Sequence, residues 1–96
     1  MSLTGKCYAP TDRVIYREIA DEAILVPVCG DIADMRRILA LNAVGRCIWQ
    51  SLDGKHSVSE TVAAICAQFE VERQQAEEDV RSFLEELLQA ELIVEA

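Results

Sequence analysis

The side chains that could do chemistry in this sequence are four cysteines and one histidine. The cysteines stand at positions 7, 29, 47 and 66, and no two of them form a Cys-x-x-Cys pair. His56 is not at metal-ligand spacing from any cysteine, and no Asp or Asn occupies a position that indicates an orienting partner for a catalytic imidazole. We therefore predict no metal site, no cofactor, no catalytic residue and reduced thiols, of which Cys47 and Cys66 fall on apolar helical faces.

Carboxylates are numerous, but their pattern is that of a solvated helix face. The formal net charge is −8, and residues 70–96 hold nine acidic side chains against Arg73 and Arg81. A nucleic-acid binder needs Lys and Arg to neutralise phosphates, so this balance disfavours DNA binding. We expect Asp79 to bond within the domain and not to act as a catalytic acid.

Length and composition indicate one domain with an aliphatic core. The 96 residues are 51% hydrophobic and 5% aromatic, enough for a single modest core that we place at about residues 13–94. No run approaches the ~20 apolar residues of a membrane span, and the N-terminus lacks the basic and apolar regions of a secretory signal. The expected location is the cytoplasm.

Three strands are predicted in the N-terminal half. Residues 13–20 and 23–28 are β-rich and flank a polar turn at Asp21-Glu22, which favours a hairpin. Pro27 has no N–H to donate, so it belongs where its nitrogen faces away from a partner strand or at a strand end. Residues 35–41 fit a strand or the start of a helix by propensity; we interpret them as strand three because Asn42 is a good N-cap for the helix that follows.

Three helices are predicted in the C-terminal half. Helix one spans about 43–52 with Gly54 as its left-handed stop, helix two begins at a capping box from Ser57 to Glu60, and helix three spans about 72–90. Trp49 is expected in the core. Residues 92–94 return as an extended tail that packs on the domain. This order of elements, a sheet followed by three helices, predicts an α+β fold of the winged helix-turn-helix type.

The order of these elements resembles the PqqD family, named for pyrroloquinoline quinone biosynthesis protein D. The resemblance covers roughly residues 14–94, and its matching positions are Leu41-Asn42, Gly45, Ile48-Trp49, Leu52, Asp53-Gly54, Val58, Phe69, Asp79-Val80, Phe83-Leu84, Leu87 and Leu92. No Pro-Glu-Gly segment precedes Leu41-Asn42, so the sequence is more similar to the broader PqqD-like group than to members dedicated to pyrroloquinoline quinone.

The resemblance implies a peptide-binding adaptor without catalytic activity. Family members bind the leader segment of a ribosomally made precursor peptide and present it to a modifying enzyme, commonly of the radical S-adenosylmethionine type. Here the leader would add as a strand on the edge of strand three, beside helix three. The expected peptide-binding residues are Arg36, Arg37, Ile38, Leu39, Ala40, Arg73, Val80, Arg81 and Leu84.

Several alternatives stay open at this point. The arginines could equally be solvated or paired with the many carboxylates of the chain, and Leu39 could be a core residue or an exposed anchor. A winged-helix transcriptional regulator or a regulator-binding protein is the alternative function. A homodimer in which strand three pairs with another copy would also be physically reasonable, and it would cover the peptide site.

Overall fold

An antiparallel sheet precedes three helices, as the sequence predicts. The computed structural model describes residues 5–29, 32–33 and 37–96. In chain order its elements are β1 (Tyr8–Pro10), β2 (Val14–Ile19), β3 (Glu22–Cys29), β4 (Ile32–Ala33), β5 (Leu39–Leu41), α1 (Ala43–Gln50), α2 (Val58–Gln68), α3 (Arg73–Gln89) and β6 (Ile93–Glu95). The α+β class, with a three-stranded antiparallel sheet before three helices, is therefore confirmed.

The central strand of the larger sheet is β3. It pairs along one side with β2, from Val14 opposite Pro27 to Ile19 opposite Glu22. Its other side is shared by β4, with Ala33 opposite Val28, and by β5, with Leu39 opposite Leu25. The sheet is thus three strands wide, and its third position is occupied by two short strands in succession.

Pro27 lies where the third position changes from β4 to β5. The amide of Val28 donates to Arg13 O at 2.7 Å, so Val28 turns its backbone toward β2. Because these groups alternate along a strand, Pro27 turns toward the other side, where it has no ladder partner among the described residues. A residue without an N–H thus lies where the third position of the sheet passes from β4 to β5.

Strand three of the prediction corresponds to β5, which is shorter than the predicted 35–41. Met35 and Arg36 lie outside the described residues.

The same alternation identifies the open edge of the sheet. Leu25 turns its backbone toward β5, so Leu39, which lies opposite, bonds back to β3. Ala40 then presents its N–H and C=O to the outer edge. Within the described ranges, β5 pairs with no strand other than β3. This edge carries the backbone groups that a further strand would need.

The β2–β3 turn is one residue earlier than predicted. It consists of Ala20 and Asp21, whose φ angles are 50° and 68°, and Glu22 already belongs to β3. Two consecutive positive φ angles are the signature of a type I′ hairpin turn, whose twist matches that of the strands. Alanine is an unusual residue for this conformation, which is why the sequence analysis placed the turn one residue too late.

The helices begin at the predicted caps. Asn42 Oδ1 accepts from Gly45 N at 2.7 Å at the start of α1. The capping box of α2 is complete, since Ser57 Oγ accepts from Glu60 N and Ser57 N donates to Glu60 Oε1 at 2.8 Å. Gly54 has a φ of 78°, but α1 ends four residues before it, so Gly54 shapes the α1–α2 loop and does not end the helix.

The core lies between the inner face of the sheet and the three helices. Its largest fully buried side chains are Leu25, Ile48, Ile65, Leu84, Leu87, Leu92, Ile93, Val62 and Val80. Trp49 is only 8% exposed and stacks on Tyr16, with ring centroids 6.4 Å apart and ring planes within 9°. The prediction of a core tryptophan is confirmed.

A two-stranded ribbon joins the two ends of the described chain. The predicted extended tail is β6, which pairs with β1, a strand that the sequence analysis missed, with Tyr8 opposite Glu95. Gly54 N donates to Tyr8 O at 2.9 Å, and Val58 N donates to Lys6 O at 2.9 Å. The N-terminal strand therefore holds the α1–α2 loop and the C-terminal strand together. None of the described helices is both long and apolar enough to cross a bilayer.

Candidate functional site

A groove runs along α3, between that helix and the segment formed by β5 and α1. At the β5 end is a cavity of about 460 Å³; its lining residues are Pro27, Arg37, Ile38, Leu39, Glu86, Gln89, Ala90 and Leu92. At the α1 end is a cavity of about 340 Å³; its lining residues are Asn42, Val44, Gly45, Ile48, Asp79, Ser82, Phe83 and Glu86. Because Glu86 lines both cavities, we treat them as one feature, the α3–β5 groove.

The groove lies directly beside the open edge of the sheet. Ile38 and Leu39 line its β5 end, and Ala40, the next residue along, is exposed with its backbone polar groups turned outward. An extended peptide at this edge would therefore make main-chain hydrogen bonds with β5. Its alternate side chains would enter the groove.

Apolar side chains form the floor of the groove at the α1 end. Ile48 is 2% exposed, and Val44 and Phe83 are partly buried against the core. Gly45 also lines this end, where an added Cβ would lie 3.3 Å from Asn42 Oδ1 and 3.6 Å from Leu41 Cδ2. The result is a depression with an apolar floor and a polar rim, which is the usual composition of a site that receives side chains of a partner.

The rim contributed by α3 is acidic. Asp79, Ser82, Phe83, Glu86, Gln89 and Ala90 recur at spacings of three and four and so form one helical face. Asp79 Oδ1 accepts from Gln75 Nε2 at 2.9 Å, the bond within the domain that the sequence analysis expected. Arg37 lines the opposite wall at the β5 end, and no ion pair joins it to Glu86 among the described residues.

The structure brings together the predicted site residues of strand three. Arg37, Ile38 and Leu39 line the groove, and Ala40 lies on the open edge beside it. Leu39 is partly buried, packs against the core and also lines the groove; its role as an anchor for the peptide stays a prediction. Arg36 lies outside the described residues, and its predicted role stays a prediction.

The predicted aliphatic residues of helix three lie in the core and not in the groove. Val80 is 1% exposed and Leu84 is 0% exposed, so a peptide cannot reach either side chain in this conformation. The helical periodicity identified the buried stripe correctly, but the groove lies along the neighbouring face. This corrects the expectation that Val80 and Leu84 contact the peptide; they support the groove from beneath.

The predicted arginines of helix three also lie away from the groove. Arg73, at the first position of α3, has its Nε 3.2 Å from Glu77 Oε1. Arg81 is exposed and lies about 140° around the helix from Glu86, at about 100° per residue. Neither arginine lines the groove, so the basic wall expected on helix three is replaced by an acidic one. The site prediction missed three groove residues, Asp79, Phe83 and Glu86. They lie on the face of α3 next to its buried face, and their spacing of three and four in the sequence is the signal that could have found them.

His56 does have an orienting carboxylate, contrary to the sequence analysis. Asp53 Oδ2 lies 2.9 Å from His56 Nδ1, and Asp53 Oδ1 accepts from the amides of Lys55 and His56 at 2.9 and 3.0 Å. These bonds, the backbone ones first, lower the pKa of Asp53 to about 2. No hydroxyl or thiol is hydrogen-bonded to His56 among the described residues. We therefore interpret the Asp53–His56 pair as a structural contact within the α1–α2 loop.

The other polar contacts near the sheet are structural. The Tyr16 hydroxyl donates to Glu18 Oε1 at 2.6 Å, which raises the pKa of Tyr16 and lowers the pKa of Glu18. Arg46 also pairs with Glu18. Burial raises the pKa of the Cys47 thiol, which favours its protonated form. Across the described residues, no group of three or more His, Cys, Asp or Glu side chains is arranged to hold a metal ion.

These features define a class: a small α+β domain of winged-helix order with an open sheet edge beside a groove. The family model described as Coenzyme PQQ synthesis protein D (PqqD) matches residues 31–93. The chain belongs to the PqqD family, as its resemblance predicted.

Two solved structures are similar to this chain. One, described as TbiB1 in complex with the TbiA(beta) leader peptide, is 34% identical, with a TM-score of 0.71 over 88% of this chain and 93% of that chain. The other, described as lasso peptide synthetase B1 complexed with the leader peptide, is 18% identical, with a TM-score of 0.74 over 91% of this chain and 96% of that chain. The second similarity shows the fold alone. A comparison with curated proteins finds no match.

Proposed function

We propose that this protein binds the leader segment of a ribosomally made precursor peptide and presents it to a modifying enzyme. The observation that carries the proposal is the open edge of β5 beside the α3–β5 groove. The relative that is 34% identical was solved with a leader peptide, which supports the same role here. The domain itself does no chemistry in this proposal; it supplies alignment and selectivity.

The leader adds to β5 as a further strand. The outward backbone groups of Ala40 provide main-chain bonds, and Ile38 and Leu39, which line the groove, contact side chains of the peptide. Arg37, exposed on the wall opposite α3, meets an acidic side chain of the leader. Arg36 is proposed to do the same, on the basis of the sequence alone.

The partner enzyme is proposed by class only. The family resemblance implies a modifying enzyme, commonly of the radical S-adenosylmethionine type. The missing Pro-Glu-Gly segment supports a pathway other than pyrroloquinoline quinone synthesis. The competing function, a DNA-reading winged helix, has no support from α3, because its exposed side chains include four glutamates and two arginines.

A titration followed by backbone-amide chemical shifts tests leader binding. The probes are the TbiA(beta) leader peptide and synthetic leaders encoded by short open reading frames beside the gene. We expect saturable shifts at residues 37–41 and along Asp79 to Ala90. A folded, monomeric protein whose amides do not respond to any of these peptides would end the proposal.

The Ile38→Pro variant tests strand addition directly. Proline removes the backbone donor of Ile38, the residue before β5, and we expect at least about a tenfold loss of affinity, since main-chain bonds set the alignment of an added strand. Ile38→Ala is the matched control, because it shortens the side chain but keeps the amide. Trp49 fluorescence and circular dichroism establish that both variants are folded. Wild-type affinity in a folded Ile38→Pro protein would rule out pairing at this position.

Homodimer formation is the competing use of the same edge. A dimer paired through β5 would cover the groove, so the fraction of dimer should fall as leader peptide is added. Sedimentation velocity with and without peptide measures this. A dimer that binds peptide without dissociating must be paired elsewhere.

A further inference from the structure

The α1 end of the groove combines an apolar floor with two carboxylates on its rim. Val44, Ile48 and Phe83 form the floor, and Asp79 and Glu86 lie on the α3 side. A long side chain with an apolar stem and a charged tip matches this arrangement, because the stem can cover the floor while the tip stays at the solvated rim. The partly buried ring of Phe83 adds an attractive surface for a cation.

No positive group at this end offsets the two carboxylates. None of the described side chains that line the α1 end is basic. Arg46 follows Gly45 in α1 but lines a separate cavity on the other side of the helix and pairs with Glu18. At the N-terminus of α1, which would favour an anion, the Gly45 amide is already bonded to Asn42 Oδ1.

The two ends of the groove therefore differ in charge. The β5 end has Arg37 as well as Glu86, whereas the α1 end has Asp79 and Glu86 without a basic neighbour. A peptide lying along the groove experiences an acidic environment at the α1 end only. Charge of this kind selects among partners more than it adds affinity.

We propose that the α1 end of the groove is a subsite for a lysine or arginine side chain of the bound peptide, recognised by Asp79 and Glu86 above Val44, Ile48 and Phe83. This inference rests on the proposed leader binding and specifies the chemistry of the leader. It places one basic residue in the leader at the position that lies over α1.

Selection from a displayed library of random 15-residue peptides tests the subsite. The proteins compared are the wild type, the double variant Asp79→Asn/Glu86→Gln and a control, Glu78→Gln/Glu85→Gln. The control removes two carboxylates from the same helix at exposed positions that do not line the groove. We expect peptides selected by the wild type and by the control to share a lysine or arginine at one position, and those selected by the groove variant to lack it.

Affinities measured on one selected peptide complete the test. Replacing its basic residue with norleucine should weaken binding to the wild type about three- to tenfold, the effect expected for one or two exposed ion pairs. The same replacement should have little effect on the groove variant, since the two changes remove the same interaction.

The outcomes separate the two proposals. If none of the three proteins selects a peptide, leader binding fails and the subsite fails with it. If peptides are selected without a shared basic residue, or if the groove variant keeps the preference, the subsite is wrong while strand addition at β5 stands.

Discussion

The carboxylate of Asp53 organises the α1–α2 loop. It accepts hydrogen bonds from two backbone amides and contacts the ring of His56. Its folded-state pKa of about 2 lies below the ordinary value of 3.8. A carboxyl whose pKa is lowered by folding stabilises the protein above its ordinary pKa, and this contribution is lost as the pH falls through the folded-state pKa.

The Asp53→Asn variant should lose this pH dependence. We expect a lower free energy of unfolding than the wild type near neutral pH, and a smaller decline between about pH 4 and about pH 2. Urea unfolding followed by Trp49 fluorescence measures both proteins. Glu60 keeps part of the acid sensitivity in the variant, because its capping bond to Ser57 N also lowers its pKa. Parallel stability curves for the two proteins would show that Asp53 is not responsible.

The first turn of α1 depends on the Asn42 cap. Its Oδ1 satisfies the amide of Gly45, one of the four donors that a helix start leaves without an intrahelical partner. Asn42→Ala should therefore lower the free energy of unfolding by about 1 kcal/mol, and Asn42→Ser should restore most of it. Because Asn42 also lines the groove, peptide affinity is measured on the folded proteins. A loss of affinity at unchanged stability would show that Asn42 acts in recognition.

The turn between β2 and β3 offers a stabilising change. Ala20 and Asp21 both have positive φ angles, which Asn and Gly adopt at lower cost. We expect the double variant Ala20→Asn/Asp21→Gly to gain about 1 kcal/mol in the free energy of unfolding. Thermal and urea unfolding measure the gain. Asp21→Ala serves as the control, since it keeps a side chain at the second positive-φ position, and an equal gain there would rule out the backbone explanation.

For the whole molecule, periodicity and caps predicted the order of the elements. Asn42 and the capping box at Ser57 located two helix starts, and the buried stripe of α3, which includes Val80 and Leu84, was visible as helical spacing. Periodicity shows which face of a helix is buried but not which neighbour flanks it. That is why Val80 and Leu84 were assigned to the groove while Asp79 and Glu86 were not.

Contacts between residues that are far apart along the chain could not be predicted from the sequence. The strand β1 has three residues, ends in Pro10 and pairs with β6 at the other end of the chain, so no local pattern indicates it. The direction in which Pro27 faces depends on the register of β3, which no local pattern determines. The expectation of a further strand on β5 came from the family resemblance, and the position of its open edge required the sheet.

The ribbon of β1 and β6 has a consequence for how this domain can be combined with others. Ala96 N donates to Cys7 O at 2.9 Å, so the chain enters and leaves the domain at neighbouring points. A domain of this kind can be inserted into a loop of another protein, or circularly permuted through a short linker, without stretching either chain. The fold can therefore be transferred as a unit, and the α3–β5 groove would be transferred with it.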